Sequence, residues 1–284
     1  MEKRKIMYIV ITIVCIIAII LGVYYQIFAD KIVTENMVSE PENIVEDNNA
    51  DDPEDLLKEF NNLFNNTFNK QGYDTSNIKR FQSLENEDIV YKAYDIQKEE
   101  DGKYSIDIKL PAFNIDNQEI PASYNSKTQS IFANKVTSIV NDSNQYTIYN
   151  IDYVAYINDG ILSVVIKSTL KEGNSPQRNI VLSYNYNIET GESVTLDEVL
   201  EKYNISKNEV NKKINTQIKE ASKQAEKISE ATGQNVYKRD LSNAMYLTEN
   251  VSNFLVGKDG QIYIIYAYGN NSLTSEIDII KVER

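Results

Sequence analysis

The hydrophobic pattern changes period several times along the chain. Residues Ile6 to Phe28 form an uncharged, almost wholly apolar run preceded by Lys3, Arg4 and Lys5. At about 1.5 Å per helical residue, such a run crosses a hydrocarbon core of roughly 30 Å. Basic residues stay on the cytoplasmic side, and the far side opens with Asp30, so the C-terminal mass is expected outside the cytoplasm. The run exceeds the apolar stretch of a cleaved signal peptide, roughly 7–15 residues, and Ile27-Phe28-Ala29 is a poor cleavage site, which favours a retained anchor. Residues 1–5 then form a cytoplasmic tip, 6–28 a transmembrane helix, 29–85 an acidic stalk, and 86–284 an extracytoplasmic domain with a subdivision near residue 143.

Within the stalk, Leu56, Leu57, Phe60, Leu63, Phe64 and Phe68 recur at helical spacing. Asp52 offers an N-cap, Pro53 fits the first helical position, and Glu54 and Asp55 suit the positive end of the helix dipole. An amphipathic helix over about 53–70 follows, with Gly72 as its stop. From Asp88 the pattern turns strand-like. Residues 89–94 and 103–108 flank a loop ending in Asp101-Gly102, which predicts a hairpin, and Pro111 ends its second strand. Ser126 and Gln129 suggest a capped helix start, with Ile131, Phe132, Val136, Ile139 and Val140 on one face.

Strands are predicted at 146–157, 162–170 and 180–188, joined by the Asp159-Gly160 turn and a wider loop at 171–178. Thr195 with Glu198, and Ser206 with Glu209, mark two helix starts. The second helix carries Val210, Ile214, Ile218, Ala221, Ala225 and Ile228 as one stripe, and Gly233 closes it. Strands at 254–256, 261–268 and 277–282 complete the chain. Short hairpins and a few helices without a βαβ rhythm predict an α+β fold with mainly antiparallel sheet.

Charge narrows the function classes. The chain holds 29 basic and 42 acidic side chains; removing the first five residues takes three and one of these, leaving −15. That charge disfavours nucleic acid and anionic lipid headgroups as ligands, and it favours a cationic partner. His is absent, so Ser–His–Asp and Cys–His catalysis and a His-ligated zinc are excluded on residue type. The only Cys, Cys15, lies in the apolar run, so the domain beyond it folds without a disulfide. No cofactor motif and no Asp-rich calcium loop is present. Ser168-Thr169-Leu170-Lys171 spells Ser-x-x-Lys, but that chemistry needs a helix start, and here the residues close a strand. No carboxylate pair stands out among the abundant acids as a hydrolase site. Among twenty Tyr, mostly at strand positions, Tyr184, Tyr186, Tyr266 and Tyr268 are candidate partner-binding residues, together with Phe60 and Phe64 of the stalk helix.

Two segments carry a family resemblance: Leu162-Ser163-Val164-Val165, and Tyr184-Asn185-Tyr186-Asn187-Ile188-Glu189-Thr190-Gly191-Glu192 running into Ser193-Val194-Thr195-Leu196-Asp197-Glu198-Val199-Leu200. They resemble the extracytoplasmic domain of RsiV-type, lysozyme-sensing anti-sigma factors and the non-catalytic N-terminal part of PdaC-type peptidoglycan deacetylases. The 104–111 segment and the stretch through Asn253-Phe254, Asp259-Gly260 and Tyr266-Ala267-Tyr268-Gly269 are similar as well, so the resemblance spans roughly 88–284. Many relatives have a Gly-Gly-Ala-His run where this chain has Glu172-Gly173-Asn174-Ser175-Pro176-Gln177-Arg178. Residues 1–5 are too few to hold a sigma-binding domain, and no deacetylase domain is attached. The resemblance implies a non-catalytic binding or sensing domain of the cell envelope, with a lysozyme-like cationic protein or a cell-wall component as partner and the membrane engaged through 6–28. A carboxylate-based envelope hydrolase and a structural or assembly protein are the alternatives.

Overall fold

Among the described residues the alternating segments become eight strands in two sheets. The computed structural model describes residues 51–65, 90–113, 124, 126–142, 144–270 and 273–284. The predicted anchor 6–28 lies outside them, as do Phe68 and Gly72; among the described residues no helix is long and apolar enough to cross a membrane.

Helix α1 spans Pro53–Leu63, with the Asp52 carboxylate accepting from the Glu54 amide at 2.9 Å. Strands β1 (Val90–Glu100) and β2 (Tyr104–Phe113) form the expected hairpin. A π turn at Gln129–Ala133 leads into α2 (Asn134–Asp142). Strands β3 (Thr147–Asn158), β4 (Ile161–Glu172) and β5 (Arg178–Asn187) follow. Next come α3 (Leu196–Lys202), closed by a complete Thr195–Glu198 capping box, and α4 (Lys207–Thr232). Gly233 ends α4 at φ 70°, the left-handed conformation that glycine adopts without a Cβ penalty. Strands β6 (Phe254–Val256), β7 (Ile262–Asn270) and β8 (Leu273–Val282) complete the fold.

The larger sheet has the order β1-β2-β3-β4-β5 and the smaller β6-β7-β8. The architecture is α+β, but the larger sheet is mixed, because β2 and β3 run parallel with Tyr104 opposite Thr147 and Ile108 opposite Ile151. The segment carrying α2 is therefore a crossover: a βαβ unit stands where the sequence predicted none. Strands in parallel need such a return over one face of the sheet. Strands β2 and β3, one before and one after the crossover, therefore belong to a single sheet.

Strand alternation builds the layers. Ile106, Ile108, Tyr149, Ile151, Leu162, Val164 and Tyr184 face the crossover, meeting Tyr124, Phe132 and Ile139. The opposite face offers Val154, Tyr156, Val165 and Val181 to Leu255, Tyr263, Ile265 and Ile279 of the smaller sheet, with Leu56, Phe60 and Phe64 from the α1 segment in the same cluster. The far face of the smaller sheet packs Ile262, Ile264, Tyr266 and Ile280 against α3 and α4 through Leu200, Ile214 and Ile218. Helix α1 thus shares a core cluster with both sheets.

A polar clamp joins the sheets. One side of β6 pairs with β7; the other meets side chains of β4 and β5. Ser183 Oγ accepts from the Phe254 amide (3.0 Å), Asn185 Nδ2 donates to the Phe254 carbonyl (3.0 Å), and Ser163 Oγ accepts from the Val256 amide (3.1 Å). Ser163 in turn donates to Asn185 Oδ1, and Asn253 Oδ1 accepts from the Ser183 amide. Ser163 is fully buried and Asn185 is 8% exposed, so these bonds satisfy backbone groups that water does not reach.

Candidate functional site

On the face of the larger sheet that turns toward β6–β8, Val165 and Val181 lie between the Ser163–Asn185 clamp and a second polar end made by Lys167, Thr169 and Asn179. This polar end is the floor of a cleft of about 870 Å³. Helix α1 supplies one wall through Pro53, Glu54, Leu57 and Asn61. The C-terminal half of α4 supplies the other through Ala221, Gln224, Ala225 and Ile228, continued by Gln234, Asn235 and Val236. Pro176 and Gln177 of the β4–β5 loop overhang it, and Arg239, Glu276, Ile277 and Asp278 close one end. Gly173 at φ 49° lets that loop turn; a Cβ there would meet the Gln145 side chain at 2.6 Å.

The walls are fixed by polar contacts, with Gln217 and Arg239 buried among them. Gln217 of α4 grips the backbone of Asp51, donating to its carbonyl at 2.9 Å and accepting from its amide at 2.8 Å. Gln224 donates to the Asp52 carboxylate, and Lys213 pairs with Asp51. At the outer side of α1, Tyr263 Oη and Lys281 Nζ both donate to Glu59 Oε1, at 2.7 and 2.8 Å. Burial pushes the Glu59 pKa up, but these two donors outweigh it and hold the carboxyl below its usual value. Arg239 makes a two-pronged contact with Asp278 (2.6 and 2.7 Å) and a third with Glu276 (2.8 Å). Burial opposes the charge on Arg239, yet the two carboxylates outweigh it and raise its pKa.

Lys167 is the cation on the floor. Its Nζ donates to Asn61 Oδ1 at 2.7 Å and lies 4.3 Å from the centre of the Phe64 ring. Asp152 is its cross-strand neighbour, but among the described residues Lys167 forms no ion pair within 4.0 Å. Burial lowers the Lys167 pKa and raises that of Asp152, while each charge partly restores the other. The cleft therefore presents one ammonium without a contact counter-charge, amide groups on the floor, walls and overhang, and apolar patches between them.

The six sequence candidates sit elsewhere, in three separate clusters, none more than 6% exposed. Tyr184 packs edge-on against Tyr124 at 5.1 Å beneath the crossover, with Tyr186 beside it in the same core. Both also border a smaller cleft of about 280 Å³ lined by Ser193, Thr195 and Thr248. Tyr266 meets Tyr246 edge-on, and Tyr268 stacks on Tyr237 at 4.3 Å while accepting from the Tyr246 hydroxyl. Phe60 and Phe64 contact one another at 5.3 Å between α1 and the sheets. In this structure these six rings build interior. Ser168 and Lys171 lie in β4, on opposite faces of the strand. The residues that line the larger cleft come from five distant segments, so no short-range pattern in the sequence marks them.

No family model and no curated protein matches the chain. Among solved structures it is similar to a DUF3298 family protein from Pseudomonas aeruginosa PAO1, at 11% identity over 64% of this chain and 84% of that one, with a TM-score of 0.38. It is also similar to a member of the DUF3298 family from Bacteroides fragilis, at 12% identity over 62% and 80%, with a TM-score of 0.33. Likeness at this level assigns neither a family nor an activity.

Proposed function

We propose that this chain is a membrane-anchored, extracytoplasmic binding domain of the bacterial cell envelope, and that the cleft between α1 and α4 holds its ligand. The cleft carries the reading. It has the size of a ligand site, and it alternates apolar patches with side-chain amides that both donate and accept hydrogen bonds. The apolar run 6–28 behind Lys3, Arg4 and Lys5 supports the anchored topology, and the resemblance of the 162–200 segment to envelope-sensing domains supports a cell-wall component as the ligand class. The acidic charge beyond the anchor favours instead a cationic protein, held at the surface rather than in the cleft; binding of that kind would weaken steeply with salt.

Detergent-solubilised full-length protein tests the reading by co-sedimentation with purified cell walls. The wild type is expected to sediment at moderate salt, and Gln224→Trp, which places an indole across the cleft, is expected to stay in solution while still unfolding in a cooperative transition. Equal sedimentation of the two proteins would remove the cleft from the function. Protease applied to intact protoplasts tests the topology: a C-terminal body that survives there while lysed samples are digested would refute the extracytoplasmic placement.

A further inference from the structure

We infer that the ligand class of this cleft is an extended peptide bearing a free carboxylate, with Lys167 receiving the carboxylate. The inference rests on the cleft being the binding site and adds its chemistry. Peptide groups alternate N–H and C=O; Gln177 on the overhang offers both a donor and an acceptor, Asn61 keeps its amide donors beside Lys167, and Gln224 keeps its amide oxygen beyond the Asp52 bond. Leu57, Val236 and Ile277 leave apolar ground between them for side chains. Among the described residues the lining has no aromatic ring on which a sugar face could stack.

The charged groups of the lining are Lys167 and Arg239, Glu276 and Asp278, and the Glu54 carboxylate on the α1 wall; of these, Lys167 is the cation that could meet an anionic group of the ligand. Arg239, the other cation at the cleft, is already committed to Asp278 and Glu276. Lys167 turns from its cross-strand neighbour Asp152 toward Asn61 and the Phe64 ring, partners that satisfy a donor and a face of the ammonium without neutralising it. An ammonium has three donors, so a carboxylate entering from the cleft would complete a charge-assisted pair in a partly desolvated place. A carboxylate could come from the peptide terminus or from an acidic side chain, and the two are separable by capping the terminus.

The test is equilibrium dialysis of full-length protein in nanodiscs against a mixed-sequence pool of N-acetyl tetrapeptides, supplied as free acids and as carboxamides and quantified by mass spectrometry. Loss of a charge-assisted bond costs about 1.5–3 kcal/mol, so acids are expected to be retained about tenfold or more over the matching amides. Lys167→Met is expected to erase that preference and to leave the weak retention of amides in place. A Lys167 that merely latches α1 to the sheet would instead change acids and amides alike and lower the melting temperature. If amides bearing Asp or Glu are retained as well as free acids, the carboxylate is a side chain; the Lys167 assignment stands. Equal retention of acids and of amides lacking Asp and Glu overturns the carboxylate inference and leaves a peptide cleft. Failure to retain any peptide, with wall binding still blocked by Gln224→Trp, overturns the peptide class and leaves the binding reading intact.

Discussion

Asn185→Ala tests whether the clamp on β6 holds the two sheets together. The amide makes two buried contacts: it donates to the Phe254 carbonyl at 3.0 Å and accepts from the fully buried Ser163 hydroxyl. Truncation leaves the carbonyl and the hydroxyl proton without these partners. An unsatisfied buried group costs about 1–3 kcal/mol, so the two together are worth roughly 2–4 kcal/mol once some relaxation is allowed. In a unit of this size 1 kcal/mol moves Tm by about 2–4 °C, which gives a drop of roughly 5–15 °C. Urea denaturation of the solubilised protein, followed by far-UV circular dichroism and tyrosine fluorescence, measures the loss directly; Trp is absent, so the tyrosine signal is unmasked. Ser163→Ala removes a member of the same network, so the double variant should cost less than the sum of the singles by more than about 0.5 kcal/mol. A single-variant loss below about 0.5 kcal/mol, or strict additivity, would refute the clamp.

Two further outcomes follow from packing and titration. Phe60→Ala empties a fully buried site between α1 and both sheets, and is expected to cost about 3–5 kcal/mol by the same denaturation assay; a surface-helix cost below about 1 kcal/mol would show that α1 is not part of the core. At alkaline pH, burial raises the pKa of Tyr149 and of Tyr203 to about 12 and raises those of Tyr124, Tyr263, Tyr266 and Tyr268 as well. The unfolded chain loses these protons near pH 10 while the folded chain keeps them, so stability falls as pH climbs from about 10 toward 12, by up to about 1.4 kcal/mol per pH unit for each such group. Tyrosinate absorbance should therefore rise in step with loss of circular dichroism; a rise well ahead of unfolding would contradict the burial.

Local chemistry made much of this fold legible in the sequence. Asp52-Pro53, the Thr195–Glu198 box, Ser206 and Gly233 mark helix ends by interactions within one turn, and each lies where the structure ends or begins a helix. The Asp159-Gly160 and Asp101-Gly102 hairpins read out for the same reason. The parallel pairing of β2 and β3 did not, since it is decided by what the crossover can cover and not by either strand's own alternation. A strand Tyr that packs and a strand Tyr that binds look the same along the chain, and only the neighbouring layer shows how far each ring is covered. The cleft was illegible for a related reason: Lys167, Asn179, Gln224 and Asn235 look like ordinary solvated polar residues until α1 and α4 stand on either side of them.

The closed flank of β6 also bears on self-association. A three-residue strand with bare amides and carbonyls would invite another chain to add a strand there, the usual start of edge-to-edge aggregation. Here Ser163, Ser183 and Asn185 already fill those positions, so a neighbouring molecule finds no ladder to extend. The same three side chains that keep the layers in register thus take the place of a further strand beside β6.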